Sequence, residues 1–113
     1  MRLDSWRAIE AEIDRITEES GDEDQLNQNT KENVRDFVNF ARERCPVPTE
    51  VGRGYRATIR FSWSTRPPVE VEVFEDRFEF YRFHDGRTEI KEARHTPGGA
   101  FPQELAADLP SAG

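Results

Sequence analysis

Two histidines and one cysteine are the side chains of this 113-residue sequence best suited to nucleophilic catalysis or metal binding. His84 precedes an Asp-Gly turn and His95 follows a strand-like segment. Neither has a nucleophile or enough further ligands at a recognisable spacing. Cys45 closes the apolar stripe of a helix, which indicates a small buried hydrophobic residue rather than an activated thiolate. The sequence therefore predicts a protein that is not an enzyme and has no catalytic residue, metal or cofactor.

Two other segments resemble binding motifs but have the wrong spacing. Residues 52–54 read Gly-Arg-Gly, yet no Lys-Ser/Thr and no helix follows them, which excludes a phosphate-binding loop of the usual kind. Residues 18–24 contain five acids and no base, but they lack the alternating ligands and distal glutamate of a calcium loop. Glu70 and Glu72 fall on the predicted solvent-facing side of a strand, where ordinary solvation explains them.

The charge balance limits the class of partner. The net charge is −7, and residues 1–52 hold 7 basic and 13 acidic side chains, a net of −6. This acidic half argues against nucleic acid or an anionic membrane as the partner, because phosphate binding depends on clustered lysine and arginine. It favours a protein partner with a basic surface. The acidic residues proposed to contact that partner are Glu18, Glu19, Asp22, Glu23 and Asp24.

The single cysteine rules out an intrachain disulfide, and the sequence starts without the apolar run of a signal peptide. No segment approaches the roughly 20 apolar residues of a membrane span. These features predict a cytoplasmic protein that does not enter a membrane.

Two amphipathic helices are predicted in the N-terminal half of the chain. Apolar residues at spacings of three and four indicate a first helix from Asp4 or Ser5 to Ser20. A second helix ends at Arg44 before two prolines, and it starts at either Asp24 or Asn29/Thr30. The residues alone do not separate these two starts.

The strongest pattern is the strict alternation of apolar and polar residues in Tyr55–Trp63, which predicts a strand with one buried face. Further strands are predicted at Val69–Glu75, Arg77–His84 and Thr88–Arg94, the last two joined by Asp85-Gly86. Short connections make the sheet an antiparallel meander. The predicted register places Phe61 opposite Val71, Val71 opposite Phe80, and Tyr81 opposite Ile90.

The alternation fails near the end of this sheet. Phe74, Tyr81, Phe83 and Ile90 fall on the face that should meet solvent. Either a bulge near Phe80-Tyr81 switches the faces, or this apolar patch is covered by the C-terminal tail, a second subunit or a binding partner. The four residues are therefore predicted to contact a partner, and a homodimer through the outer sheet face is one option.

The complete prediction is a single α+β domain. Two N-terminal helices, within residues 1–45, pack on one face of a three- to four-stranded antiparallel meander formed by residues 53–94. A tail of residues 96–113 follows, with a short helix at Pro102–Leu109 that docks on the core or on the apolar patch.

The layout of short helices followed by a meander, with Phe61-x-Trp63, Val69-x-Val71-x-Val73 and Asp85-Gly86, resembles small prokaryotic and phage proteins associated with mobile elements. These include anti-CRISPR-type inhibitors and antitoxins. The resemblance implies a non-catalytic protein-interaction module, with a stoichiometric inhibitor of a nucleic-acid-handling machine as the leading interpretation. An antitoxin or an accessory subunit of a prokaryotic complex is another.

A different alternative is a sheet that binds single-stranded nucleic acid by stacking on exposed aromatic rings beside arginines. Glutamates interleaved along the strands offset the positive potential that such binding needs. The arginines of this stripe are Arg53, Arg56, Arg60, Arg66, Arg77 and Arg82.

Overall fold

A five-stranded antiparallel sheet with two helices against one face forms the framework of the protein. The computed structural model describes residues 5–19, 25–54 and 57–111. The elements in chain order are helices α1 (Trp6–Glu19) and α2 (Gln28–Arg44), strands β1 (Glu50–Arg53), β2 (Ile59–Trp63), β3 (Val69–Val73), β4 (Arg77–His84) and β5 (Arg87–Arg94), and helix α3 (Gln103–Ala106). The predicted α+β architecture is confirmed, with five strands instead of three or four.

The additional strand is β1, which the sequence pattern did not indicate. Its sequence, Glu-Val-Gly-Arg, has one large apolar residue and a glycine, so it carries almost no strand signal of its own. It forms because Val51 pairs with Phe61 of β2 and extends the same buried face.

The predicted strand Tyr55–Trp63 was too long at its start. The ladder of β2 begins at Ile59, and the Gly54 backbone N–H donates to the Thr58 carbonyl at 3.1 Å, which closes the connection from β1. Tyr55 and Arg56 lie outside the described residues.

The strands pair in chain order, β1-β2-β3-β4-β5, as expected for a meander. The predicted register is confirmed. Phe61 lies opposite Val71, Val71 opposite Phe80, and Tyr81 opposite Ile90. Gly86 adopts φ 78° in the tight turn between β4 and β5, a conformation that suits glycine because it has no Cβ.

The core lies between the inner face of the sheet and the two long helices. Phe37 of α2 is fully buried at its centre and lies close to Phe61, Trp63, Phe78 and Phe101. The Trp63 indole N–H donates to the Pro46 carbonyl at 2.9 Å, so the polar atom of this buried ring is satisfied. Only 35% of the residues are hydrophobic, and aromatic residues supply much of the buried volume.

Polar side chains fix the starts of both long helices. The Ser5 hydroxyl accepts from the Ala8 backbone N–H at 3.0 Å and caps α1, which agrees with the predicted start at Asp4 or Ser5. Asn27 caps α2 by accepting from the Thr30 backbone N–H at 2.8 Å. The start of α2 at Gln28 thus falls between the two predicted starts, whereas its end at Arg44 is confirmed.

The C-terminal helix α3 is shorter than predicted, because its helical backbone ends at Ala106 instead of Leu109. It docks on the core and not on the outer patch. Leu105 and Leu109 are buried, and the Phe101 ring stacks on Phe40 with centroids 3.9 Å apart. Within the described ranges, no helix combines the length and apolar character needed to cross a bilayer.

Candidate functional site

The outer face of the sheet, opposite the helices, is the surface on which the sequence placed its unexplained apolar residues. No described helix packs on this face, because α1, α2 and α3 all bury their apolar residues on the inner side. The alternation along each strand identifies the outer side chains. They are Glu50, Gly52, Arg60, Ser62, Glu70, Glu72, Phe74, Arg77, Glu79, Tyr81, Phe83, Thr88, Ile90, Glu92 and Arg94.

Three of the four predicted patch residues come together on this face. Tyr81 lies opposite Ile90, and Phe83 is two residues further along β4, with its ring parallel to that of Tyr81 at 6.3 Å between centroids. The β4–β5 ladder runs without interruption from Arg77–Arg94 to His84–Arg87, so the first of the two alternatives, a bulge near Phe80-Tyr81, is wrong. Phe83 is 37% exposed and Ile90 61% exposed, and Tyr81 is half-buried. We call Tyr81, Phe83 and Ile90 the outer patch.

Phe74 does not belong to this patch. It lies at the other end of β4, where its backbone N–H donates to Arg77 in the β3–β4 turn. Tyr81 is four residues beyond Arg77, about 13 Å along the strand. The Arg77 guanidinium lies over the Phe74 ring at 3.9 Å from the centroid, so Phe74 has a partner within the chain.

Glu72 corrects the expectation that the outer glutamates are simply solvated. It is only 4% exposed and lies beside Gly54 and Thr58. Its carboxylate accepts from the Thr58 hydroxyl at 2.6 Å and lies 3.5 Å from Arg60 Nη2. These contacts compensate the cost of burying a charge.

A second polar group lies between Glu72 and the outer patch. Glu79 accepts from the Tyr81 hydroxyl and, at 2.8 Å, from Arg77 Nε. Burial, followed by the hydrogen bond and negative charge of Glu79, raises the pKa of Tyr81 well above its usual value. Tyr81 therefore stays protonated at neutral pH and acts as a hydrogen-bond donor.

Gly54 lies close to both Thr58 and Glu72, and it can do so because it has no Cβ. A Cβ added at Gly54 would lie 2.0 Å from Thr58 Oγ1 and 2.3 Å from Glu72 Oε2. We expect Gly54→Ala to lower the free energy of unfolding by about 1–3 kcal/mol, because the methyl group separates a buried hydrogen-bonded pair. Urea denaturation measures this loss.

Gly52 provides the matched control, since a Cβ there meets no atom within 4 Å. Gly52→Ala should leave stability unchanged or raise it by up to about 1 kcal/mol, because alanine restricts the unfolded chain. Equal losses of unfolding free energy at Gly54 and Gly52 would show that the close approach to Glu72 does not affect stability.

His95 has a partner that sequence spacing did not reveal. Its Nε2 lies 2.8 Å from Asp36 Oδ2, which also accepts from the Gly98 backbone N–H at 2.9 Å. The His95 side chain is 2% exposed and stacks on Phe78. Because His95 is buried and its pair with the half-buried Asp36 joins α2 to the end of β5, the evident role of the pair is structural. The two residues are 59 positions apart, so no local motif could have identified them.

His84 also pairs with a carboxylate, at the other end of β5. Its Nε2 lies 3.1 Å from Glu89, which accepts in addition from Arg82 at 3.1 and 3.2 Å. The hydrogen bond with His84 is the main cause that lowers the pKa of Glu89. Lys91 donates to Asp108 at 2.7 Å, which anchors the segment after α3 to β5.

The predicted arginine stripe is divided between the two faces of the sheet. Arg60 and Arg77 lie on the outer face and form ion pairs with Glu70, Glu72, Glu79 and Asp76. Arg82 lies on the inner face, where it pairs with Glu89 and Asp108. Arg56 lies outside the described residues. Neighbouring acids thus neutralise Arg60, Arg77 and Arg82.

The predicted acidic contact falls largely outside the described residues. Glu18 and Glu19 are exposed at the end of α1, and Glu19 pairs with Arg15 at 2.5 Å. Asp22, Glu23 and Asp24 belong to the segment 20–24, which the structure does not describe.

A groove of about 260 Å³ lies between α1 and α2. Apolar side chains form its floor and charged ones its rim. Its lining includes Ile13, Leu26, Val34, Val38, Glu10, Asp14, Lys31 and Arg35.

Reactive groups are scarce in the portion of the chain that the structure describes. No three of its His, Cys, Asp and Glu side chains cluster as metal ligands would. Burial raises the pKa of Cys45 to about 11, which keeps the thiol protonated and unreactive at neutral pH. The outer patch is therefore the feature with the least structural explanation. Compared with protein-family models, curated proteins and solved structures, the chain matches none.

Proposed function

We propose that this chain is a small, acidic, non-catalytic protein-interaction module whose contact surface is the outer patch. The observation that carries the proposal is the exposure of Phe83 (37%) and Ile90 (61%) on a sheet face that no described helix covers. Large apolar side chains grouped on an exposed face are typical of protein contact sites. Tyr81 adds a ring held in place by its hydrogen bond to Glu79.

The charge around the patch favours a basic partner. Glutamates outnumber arginines on the outer face, and the whole chain has a net charge of −7. An apolar centre with an acidic surround suits a surface rich in lysine and arginine, because complementary charge accelerates association and fixes orientation.

Basic surfaces of this kind occur on proteins that handle nucleic acid. A bound acidic module would compete with nucleic acid for such a surface. We therefore propose a stoichiometric inhibitor of a nucleic-acid-handling machine, in the manner of anti-CRISPR-type proteins, as the specific role. An antitoxin or accessory subunit would use the same patch.

Direct binding of single-stranded nucleic acid has less support. Such binding needs exposed aromatic rings beside unpaired cations. Arg60, Arg77 and Arg82 are engaged by carboxylates, and Glu79 lies next to Tyr81 on the outer face.

The double variant Tyr81→Glu with Phe83→Glu tests the proposal. We expect partner binding to weaken at least tenfold, by about 1.4 kcal/mol or more, because aromatic anchors carry much of the energy of an interface. The measurement is the amount of partner that copurifies with a tagged chain from its native host, followed by titration of the purified pair. Circular dichroism verifies that the variant is folded.

The matched control adds the same charge on the helical side. Gln28→Glu with Asn29→Glu places two acids in the exposed first turn of α2, where the helix dipole favours negative charge. This control should bind normally. If the patch variant also binds normally while Asp22, Glu23 and Asp24 changed to lysine abolishes binding, the contact is the acidic segment instead. Salt-sensitive binding of oligonucleotides by the unmodified chain would favour the nucleic-acid alternative.

A further inference from the structure

Strand β5 forms a free edge of the sheet, and its hydrogen-bonding pattern can be followed residue by residue. The Phe83 backbone N–H donates to Pro68, on the β3 side of β4. The His95 backbone N–H donates to Asp76, on the β5 side. Backbone groups alternate in direction along a strand, so Thr88, Ile90, Glu92 and Arg94 direct their N–H and C=O groups away from β4.

This edge is long and open. Each of those four residues is exposed, and no other described segment hydrogen-bonds to their outward backbone groups. The strand spans eight residues without proline or an interruption of its ladder. The opposite edge, β1, has only four residues; α1 contacts β1, and α3 contacts β5 from the inner face without hydrogen-bonding to its outward backbone groups. An open edge of this length is a template for a further strand.

We propose that a second copy of this chain occupies the edge, with the two β5 strands antiparallel and Ile90 opposite Ile90 of the second copy. In this register the outward residues meet each other, as a hydrogen-bonded ladder requires. Thr88 then pairs with Glu92 of the second copy, and Glu92 with its Thr88. The two sheets join into one, with both outer patches on the same face.

Charge complementarity selects this register. Glu89 lies opposite Lys91 of the second copy on the inner face, beside the intrachain pairs that Glu89 forms with Arg82 and Lys91 forms with Asp108, and the two-fold symmetry repeats the contact. Cross-strand neighbours on one face are close enough for opposite charges to stabilise the pairing. On the outer face, uncharged Ile90 occupies the centre. The strand is therefore self-complementary in sequence.

Neighbouring registers bring like charges together. A shift of two residues in one direction places Glu89 opposite Glu89 and Lys91 opposite Arg87. The opposite shift places Lys91 opposite Lys91. A shift of a single residue would direct the outward backbone groups toward residues whose own groups point into the sheet.

Pairing through β5 would also enlarge the contact surface. Tyr81 lies beside Ile90 in each copy, so the two outer patches would form one strip across the symmetry axis. The proposal does not depend on the function proposed above, because it rests on backbone direction and on the charges of Glu89 and Lys91. The dimer can be absent while the patch still binds a partner, and the dimer can form although the patch binds none.

Charge exchange tests the register. The unmodified chain should have twice its 13.1 kDa mass in sedimentation experiments. Glu89→Lys and Lys91→Glu should each weaken self-association at least tenfold, because each creates two like-charge contacts, at a cost of about 1.4 kcal/mol or more. An equimolar mixture of the two variants should form a mixed dimer, since opposite charges again face each other. In the mixture each variant still lacks its own intrachain ion pair. Recovered dimer formation would therefore identify a contact between the two copies.

A disulfide test locates the symmetry axis. Ile90→Cys places two thiols on directly opposite residues, with Cα atoms about 5.5 Å apart, within disulfide range. Oxidation should link that variant rapidly into a covalent dimer. Thr88→Cys, which is also exposed but is paired with residue 92, should link much more slowly. A 13.1 kDa species at all concentrations, a mixture that stays monomeric, or equal linking rates would each overturn the proposal.

Discussion

Phe37→Ala is expected to lower the free energy of unfolding by about 3–5 kcal/mol, a large share of the roughly 5–15 kcal/mol typical of a domain. Phe37 is fully buried, and its ring centroid lies 4.7 Å from that of Phe61 and 5.9 Å from that of Phe78. These neighbours belong to different strands and cannot all move into the space left by the ring. Urea denaturation followed by tryptophan fluorescence measures the loss.

Phe83→Ala is the matched control for this experiment. It removes the same ring from a position that is 37% exposed on the outer face, so the cost should stay below about 1 kcal/mol. Similar losses at both positions would contradict the assignment of the core to the helix-covered side of the sheet.

Asp36→Ala is expected to lower the free energy of unfolding by about 2–3 kcal/mol. The substitution removes the acceptor of both His95 Nε2 and the Gly98 backbone N–H. The His95 side chain is 2% exposed, so solvent reaches its ring poorly when the half-buried Asp36 carboxylate is removed. The same urea denaturation experiment measures the change.

Glu43→Ala removes an exposed acid from the same helix and should change stability by no more than about 0.5 kcal/mol. Asp36→Asn retains one acceptor oxygen, so its loss of unfolding free energy should fall between those of Asp36→Ala and Glu43→Ala. If Asp36→Ala were as mild as Glu43→Ala, the Asp36–His95 pair would not be what holds the end of β5 against α2.

The inner face of the sheet could be predicted because its signal is local. Alternation in β2, β3 and the first half of β4 determines which residues are buried, and short connections leave one register that keeps them on a single face. Strand β1 escaped prediction for the opposite reason. Its single large apolar residue, Val51, becomes a strand residue only because Phe61 is beside it.

Only some of the candidate site could be predicted. Tyr81 and Ile90 follow from the register of the β4–β5 hairpin, which Asp85-Gly86 sets. The separation of Phe74 depends on the β3–β4 turn, where its ring meets Arg77, and the burial of Glu72 depends on its approach to Gly54 and Thr58. Such placements arise from tertiary structure and leave no periodic signal in the sequence.

The order of the strands in the sheet also has a consequence for how the chain reaches its native state. Each strand pairs with its neighbour in sequence, so each pairing closes only a short loop and loses little chain entropy. The β4–β5 hairpin, with eight paired positions and a tight turn, is the most local of these units. Proteins rich in such local contacts fold faster than those that must join distant segments. The sheet can therefore assemble by successive addition of hairpins, whereas a contact such as Asp36–His95 joins α2 to a residue 59 positions away and closes a longer loop.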